Sequence, residues 1–394
     1  MANCRKMRKL WPFTFYFLLL AAAAFVSPFI VLYYQGLGFT GTQIGLLTGV
    51  VPLITLLSAP LWTGIADATH QHRLLMSLAI LFGVITTFVF PFLNAFVPVL
   101  LIAVLLHTFL APITPLADSA TMFMLADEKE MYSRIRLGGT IGYGIVAPIA
   151  GLLIQNHGLR LAFWGCAILL LLGFIVSQRF VYGQLEAHNP PRGRVRTLLA
   201  NPRWPLFLVV AFTGGAGLAT FNNYLFPYME ELGANESMMG LALTVGTISE
   251  IPTLFFGNRL IKHLKPYGLL MSSMVVIGLR MLLLAASETP SLVLVIQLLN
   301  GLSFPTMLVA GVSYADENAP AGMSTTAQGL FSAMVSGFGM AVGGFIGGSL
   351  LESIGGRGLY LVFGVAVLAI VAIVVLIQRH LPAEQKTLPN AVID

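Results

Sequence analysis

The chain has 394 residues, 57% of them hydrophobic and only 9% charged, with a net charge of +5. A soluble domain carries about 25% charged residues, and no soluble core could hide this much apolar surface, so the expected solvent is lipid. The two cysteines, Cys4 and Cys166, give neither a disulfide framework nor a metal spacing.

A span needs about 20 apolar residues. Twelve runs qualify, at 10–34, 42–66, 73–93, 97–125, 132–156, 159–181, 204–229, 237–260, 267–286, 290–314, 323–351 and 357–379. Backbone groups in lipid must be satisfied within the segment, so each run is expected to be a helix. The fold class is therefore all-α and polytopic. The first run is too long for a cleavable signal peptide and no small-residue cleavage pattern follows it.

The 21 lysines and arginines sort by side. Arg136 and Arg280 fall inside spans, and Arg160 and Arg357 fall in loops on the far side. All the others lie on the side of the N-terminus, including Arg5, Lys6, Arg8, Lys9, Arg192, Arg194, Arg196 and Arg203. The far side is acidic where it is charged, at Glu230, Glu231, Glu236 and Glu288. Basic loops stay in the cytoplasm. The expected location is thus the cell membrane with both termini cytoplasmic, and the basic pI needs no nucleic acid.

The two halves repeat. Trp11-Pro12 recurs as Trp204-Pro205, and Leu74-Leu75-Met76-Ser77 as Leu269-Leu270-Met271-Ser272. Leu105-Leu106 with Pro112 recurs as Leu298-Leu299 with Pro305, and Gly151 and Gly158 as Gly348 and Gly355. The offsets are all near half the chain length. They predict a six-helix bundle over 1–181, a polar linker over 182–203 with Pro190-Pro191, and a second six-helix bundle over 204–394. Parallel repeats with a site between them at mid-membrane are the layout of a rocking transporter.

Function concentrates between Asp118 and Gly151. Asp118 closes one apolar run, the charged turn Asp127-Glu128-Lys129-Glu130 follows, and the next run opens with Arg134 and Arg136. In antiparallel helices Asp118 lies about seven residues inside and Arg136 about four, roughly 10 and 6 Å deep, so the arginine can reach the carboxylate. An intramembrane charge is a functional-site hypothesis by default. Tyr143 follows Arg136 by seven residues on the same helix face, where an aromatic beside the pair could stack a sugar or an aromatic ring.

Twelve spans, two halves and a central loop resemble the major facilitator superfamily. Gly64-Ile65-Ala66-Asp67 followed by Arg73 resembles the superfamily's glycine–aspartate–basic loop signature between spans 2 and 3. Thr69, His70, Gln71 and His72 stand where a Gly-Arg pair is usual. The finer resemblance is to the phenylpropionate-permease-like group, a neighbour of the lactose-permease family. Tyr132-Ser133-Arg134-Ile135-Arg136-Leu137-Gly138 is its most specific part. That resemblance implies that Asp118, Arg136 and Tyr143 occupy the acid, arginine and stacking aromatic of a sugar site, and that Arg280 matches a ninth-span arginine. Asn222 and Ser303 stand where the lactose-permease family carries coupling carboxylates, and Asn300 stands in place of its span-10 histidine. Its span-8 acid aligns with Thr247, one turn before Glu250. Any proton coupling here is expected to be rewired.

Glu250 in span 8 and Arg280 in span 9 each lie about 13 residues from a membrane face, about 20 Å deep and near the midplane. Such a carboxylate can carry a proton, its pKa set by the guanidinium and by desolvation. Alternatively the two form a fixed ion pair that locks two helices; apolar packing could replace such a lock at little cost. The same alternatives hold for Asp118 and Arg136, and Asp118 is a further candidate for the proton path. His107 and Asn300 are repeat mates, and Asn222-Asn223 lie in span 7. Unpaired polar groups in hydrocarbon are expensive, so these are expected to face one another, water or substrate. Gly64, Asp67 and Arg73 are expected to gate the halves, with a loop cap as the plainer reading of Asp67. The glycines of spans 5 and 11 allow close helix approach.

The reading is a secondary active transporter, proton-coupled and importing a small organic solute such as a sugar or aromatic carboxylate by alternating access. A proton-driven efflux antiporter is the alternative, since Ala147-Pro148 with Gly151 partly resembles the antiporter signature of span 5. A non-transporting receptor is the alternative of another class. An enzyme is not expected: there is no His-x-x-x-His, serine elbow, paired cysteines or nucleotide loop. No cofactor or metal is expected, and a monomer suffices. The partners are substrate, protons and the bilayer.

Overall fold

Gly355 decides how many times the chain crosses. In the computed structural model, which describes residues 2–125, 128–183, 195–320 and 323–380, eleven stretches are long and apolar enough to span a membrane. The last, Ser324–His380, has 57 residues and reverses at Gly355, whose φ of 70° only glycine adopts freely. The stretch is therefore two spans, 324–354 and 356–380. Both backbone and side chain make the turn, because the Glu231 carboxylate accepts the Gly356 N–H at 2.8 and 3.1 Å. The helix Glu236–Ala285 likewise turns at Lys265, with φ 58°. Twelve spans result, and both described ends lie on one face of the bundle. Half of the expected linker, with Pro190, Pro191, Arg192 and Arg194, lies outside the described residues, as do Asp127 and everything past 380.

The backbone repeats more faithfully than the side chains. Every described residue with positive φ has a mate in the other half. Gly38 (78°) pairs with Gly233 (83°), His70 (57°) with Lys265 (58°), and Gly158 (87°) with Gly355 (70°). The same left-handed turns thus close the corresponding loops. Asn235 opens span 8 as its N-cap, accepting the Met238 N–H at 2.9 Å, and Thr40 opens span 2 in a capping box with Gln43.

Several spans expected to be continuous are broken. Span 1 turns at Ser27-Pro28-Phe29 between helices Ala2–Val26 and Ile30–Gly36. Span 4 breaks at Ala111-Pro112. Span 10 breaks from Gln297 to Ser303, opening with a 3₁₀ turn before Phe304–Glu317. Span 11 carries a π-helical turn at Ala333–Gly339. Irregular backbone at membrane depth is tolerated where it is buried or lines a cavity. Ser27 and Pro28 do line the central cavity.

Within each half the spans pack among themselves, and the halves meet along two seams, span 2 on span 11 and span 5 on span 8. At the face opposite the termini, backbones touch. A Cβ on Gly45 would lie 2.6 Å from the Phe345 carbonyl oxygen, and one on Gly344 would lie 2.8 Å from the Gly49 nitrogen. One on Gly240 would lie 3.0 Å from Pro148 Cα. The Tyr224 hydroxyl donates to the Gly344 carbonyl, and the Thr48 hydroxyl lies 3.0 Å from it. Nearer the termini the fit loosens, and a Cβ on Gly64 would meet nothing within 4 Å. The described state is closed at the face away from the termini.

Gly45→Val should force that face apart, because a backbone carbonyl cannot yield as a side chain can. Overpacking of this kind costs about 1–3 kcal/mol. Spin labels at Thr42 and Ser353, flanking the seam, should report a longer separation in the variant. An unchanged distance would mean that packing does not hold the seam.

Candidate functional site

Three clusters of polar side chains sit inside the bundle. The first lines a cavity of about 530 Å³ between the halves. Its wall takes His107 and Thr114 from span 4, Tyr143 from span 5, and Phe221, Asn222, Asn223 and Phe226 from span 7. Tyr34, Thr48, Thr87, Phe90 and Cys166 add to it, and the rest of the wall is mainly aliphatic, from residues such as Leu47, Val51, Leu106, Leu110 and Leu243. Among the described residues no Asp, Glu, Lys or Arg belongs to that wall. The cavity thus presents aromatic faces and neutral hydrogen-bonding groups, the usual make-up of a small-molecule site.

The second cluster surrounds Arg280, 2% exposed. Its Nη1 donates to Asn300 Oδ1 at 2.7 Å and Ser303 Oγ at 3.0 Å, and its Nη2 to Gln297 Oε1. Its Cζ stands 4.1 Å over the Phe221 ring centroid, a cation–π contact. The 3₁₀ turn explains the cage. Side chains three apart eclipse in that geometry, so Gln297, Asn300 and Ser303 point the same way. Glu250 does not pair with Arg280 directly: the Asn300 Nδ2 donates to Glu250 Oε1 at 2.8 Å and bridges them. The direct ion pair that stood as the alternative reading is not what the structure contains: an amide separates the two charges. Asn300, expected to face substrate, is absorbed into this network and is absent from the cavity wall.

The third cluster holds the Asp118–Arg136 pair, with Nη1 3.5 Å from Oδ2. Tyr16 of span 1 donates to Asp118 Oδ1, and Arg136 donates to the Tyr132 hydroxyl at 2.9 Å. Tyr143 does not join them. Seven residues of helix advance about 10 Å, which carries it from their level into the cavity wall. The aromatics beside the pair are Tyr16 and Tyr132. Arg136 remains 54% exposed and Asp118 28%, so this cluster stands near the termini face.

The expected gate residues are not gathered across the halves. Asp67 faces His72 at 3.7 Å, while Arg73 Nη2 donates to the Gln178 carbonyl at 3.4 Å within the same half. A loop joined to the end of span 6 is what the state described here contains. Among the described residues no cluster of three or more His, Cys, Asp or Glu could hold a metal.

Sequence reasoning missed Tyr16, Phe221 and Gln297. Gln297 carried a usable signal: Gln297, Asn300 and Ser303 are three polar residues at spacing three in an apolar span. Tyr16 carried none, because only the packing of span 1 on span 4 brings it to Asp118.

The sequence model described as the MFS_1 like family matches residues 11–362. The chain belongs to that family. This MFS_1-like member of the major facilitator superfamily is 26% identical to the maltose permease of Geobacillus stearothermophilus over 368 residues, 93% of each chain. It is 26% identical to the uncharacterized transporter YwbF of Bacillus subtilis over 333 residues, 84% of this chain and 83% of that one. The fold matches the crystal structure of the nucleoside transporter NupG with a TM-score of 0.85 at 16% identity, covering 95% of this chain and 100% of that one. The MFS_1-like protein is accordingly a multi-pass secondary transporter of a small molecule, and not an enzyme.

Arg280→Lys tests the cage. An ammonium cannot reproduce the fork that serves three oxygens at once, and each acceptor left unpaired costs about 1–3 kcal/mol. The variant should melt several degrees lower in detergent. An unchanged melting temperature would mean that the three contacts contribute nothing.

Proposed function

We propose that the protein is a proton-coupled importer of a small uncharged solute bearing hydroxyl groups. The observation that carries this reading is the central cavity, built by both halves, whose mainly apolar wall carries amides, hydroxyls, His107 and aromatic rings and no formal charge among the described residues. Its volume of about 530 Å³ falls within the roughly 300–1,000 Å³ of ligand pockets. The maltose permease and the nucleoside transporter among its relatives and structural neighbours are named for solutes of this kind. Of the two solutes expected from the sequence, the sugar fits this wall better than the aromatic carboxylate, which would find no cation there. The Tyr132–Gly138 motif supports placing the chain beside the phenylpropionate-permease-like group.

Tyr143, His107, Asn222 and Asn223 bind the solute. Asp118 and Arg136 stand on the path between cavity and termini face. The halves 1–181 and 204–394 rock about the linker 182–203, with Gly64, Asp67 and Arg73 meeting the other half when the termini face closes. The basic bias of the loops puts the termini in the cytoplasm, so the described state is closed to the outside. Glu250 is the proton site. It is half-buried, it lies one amide away from Arg280, and no carboxylate stands at Asn222 or Ser303. Efflux remains the rival reading on the Ala147-Pro148 and Gly151 resemblance, and right-side-out against everted vesicles would separate the two.

Thermal stabilisation of the purified protein reads the substrate class. Maltose or uridine should raise the melting temperature and phenylpropionate should not. Stabilisation by the carboxylate alone would overturn the neutral-solute reading.

Glu250→Gln mimics the protonated state. The variant should exchange solute in counterflow and fail to accumulate it against a gradient. Retention of both would move the proton site elsewhere.

A further inference from the structure

The Asn300 carboxamide stands between buried Arg280 and half-buried Glu250 with its dipole aligned to both. Its Nδ2 donates to Glu250 Oε1 at 2.8 Å and reaches the Gly246 carbonyl at 3.4 Å. Its Oδ1 accepts from Arg280 at 2.7 Å. This arrangement suits an ionised Glu250, which only accepts hydrogen bonds. Once a proton from bulk water binds at Oε1, the oxygen that Asn300 serves, that atom becomes a donor facing the N–H of Asn300.

A carboxamide has two nearly isosteric orientations related by a half-turn. After that turn Oδ1 accepts from the Glu250 hydroxyl and Nδ2 faces the Arg280 Nη1, donor against donor. Arg280 then loses one of its three oxygen acceptors. Gln297 and Ser303 still hold it, so the guanidinium is displaced and not expelled. Its flat face lies on Phe221, and Phe221 is part of the cavity wall.

We propose that Asn300 is a positioning switch that converts protonation of Glu250 into movement of Arg280 and, through Phe221, into a change in the cavity wall. The proposal rests on the reading of Glu250 as the proton site. The other titratable groups coupled to this pair are Tyr143 on span 5, facing Glu250, and Tyr360 on span 12, facing Arg280. The neighbours on span 10, Gln297 and Ser303, do not titrate. A polar residue at position 300 is thus required even though it touches no solute, and an amide serves where a hydroxyl or carboxylate would not. An amide carries its donor and its acceptor on separate atoms that reach both neighbours, and a half-turn exchanges them.

Two readouts separate the switch from the proton site. The first is the infrared band of the protonated Glu250 carboxyl, identified by its absence when the same protein carries Glu250→Gln. The second is the fluorine resonance of 4-fluorophenylalanine placed at Phe221. In the otherwise unchanged protein both should titrate with one midpoint. In Asn300→Ala the infrared titration should persist and the fluorine shift should be lost. Asn300→Asp is the companion variant should the alanine protein fail to fold. Ionised beside Arg280, it keeps an acceptor and offers no donor, and it should also lose the fluorine response. A fluorine shift that still follows the carboxyl in either variant overturns the switch. So does a carboxyl that titrates in the unchanged protein while the fluorine stays still, and in that case the proton site stands. No carboxyl titration at all removes the proton site and the switch with it.

Discussion

Lipid offers no hydrogen bonds, and that constraint shapes every part of this molecule. It makes the spans helical. It also decides where the helices break. The interruptions in spans 1, 4, 10 and 11 occur where the freed backbone faces the cavity or another helix. Polar side chains follow the same rule. Arg280 finds three oxygens and an aromatic face, Asp118 finds two partners, and Thr48 shares the Gly344 carbonyl with Tyr224.

The broken helix and the buried charge in span 10 are one feature. The 3₁₀ turn that interrupts the span is what brings Gln297, Asn300 and Ser303 into register, and the guanidinium occupies the place where they converge. A straight α-helix would rotate these residues away from one another, since spacing three falls short of a full turn. Span 4 breaks at the position matching Phe304-Pro305, and there His107, the mate of Asn300, lines the cavity instead. The matching stretch stays α-helical through Leu110 in one half, where it lines the cavity, and is a 3₁₀ turn holding a charge network in the other. This divergence fits a transporter whose halves have separate tasks around one cavity.

The seams are of a different nature. Small residues let backbones touch at the face away from the termini, where dispersion and directional contacts replace the hydrophobic effect that lipid does not supply. Such seams are close-packed in the described state and join backbone to backbone. That lets two rigid halves part and rejoin with little repacking within either one.

Much was legible in the sequence. Hydropathy alone determined the spans, because twenty apolar residues have no alternative to a helix in lipid. The repeated turns were legible through Gly158 and Gly355. They were invisible at His70 and Lys265, where the left-handed backbone is carried by residues that do not advertise it. The Asp118–Arg136 contact followed from depth along antiparallel helices, a one-dimensional argument. Tertiary structure decided what depth cannot reach: which way a side chain faces and who meets it from another span. It separated Tyr143 from the pair, moved Asn300 out of the expected solute site and put an amide between Glu250 and Arg280. It also supplied Tyr16 and Phe221. Those outcomes depend on helix rotation and on breaks that change it, and a pattern of apolar residues constrains neither.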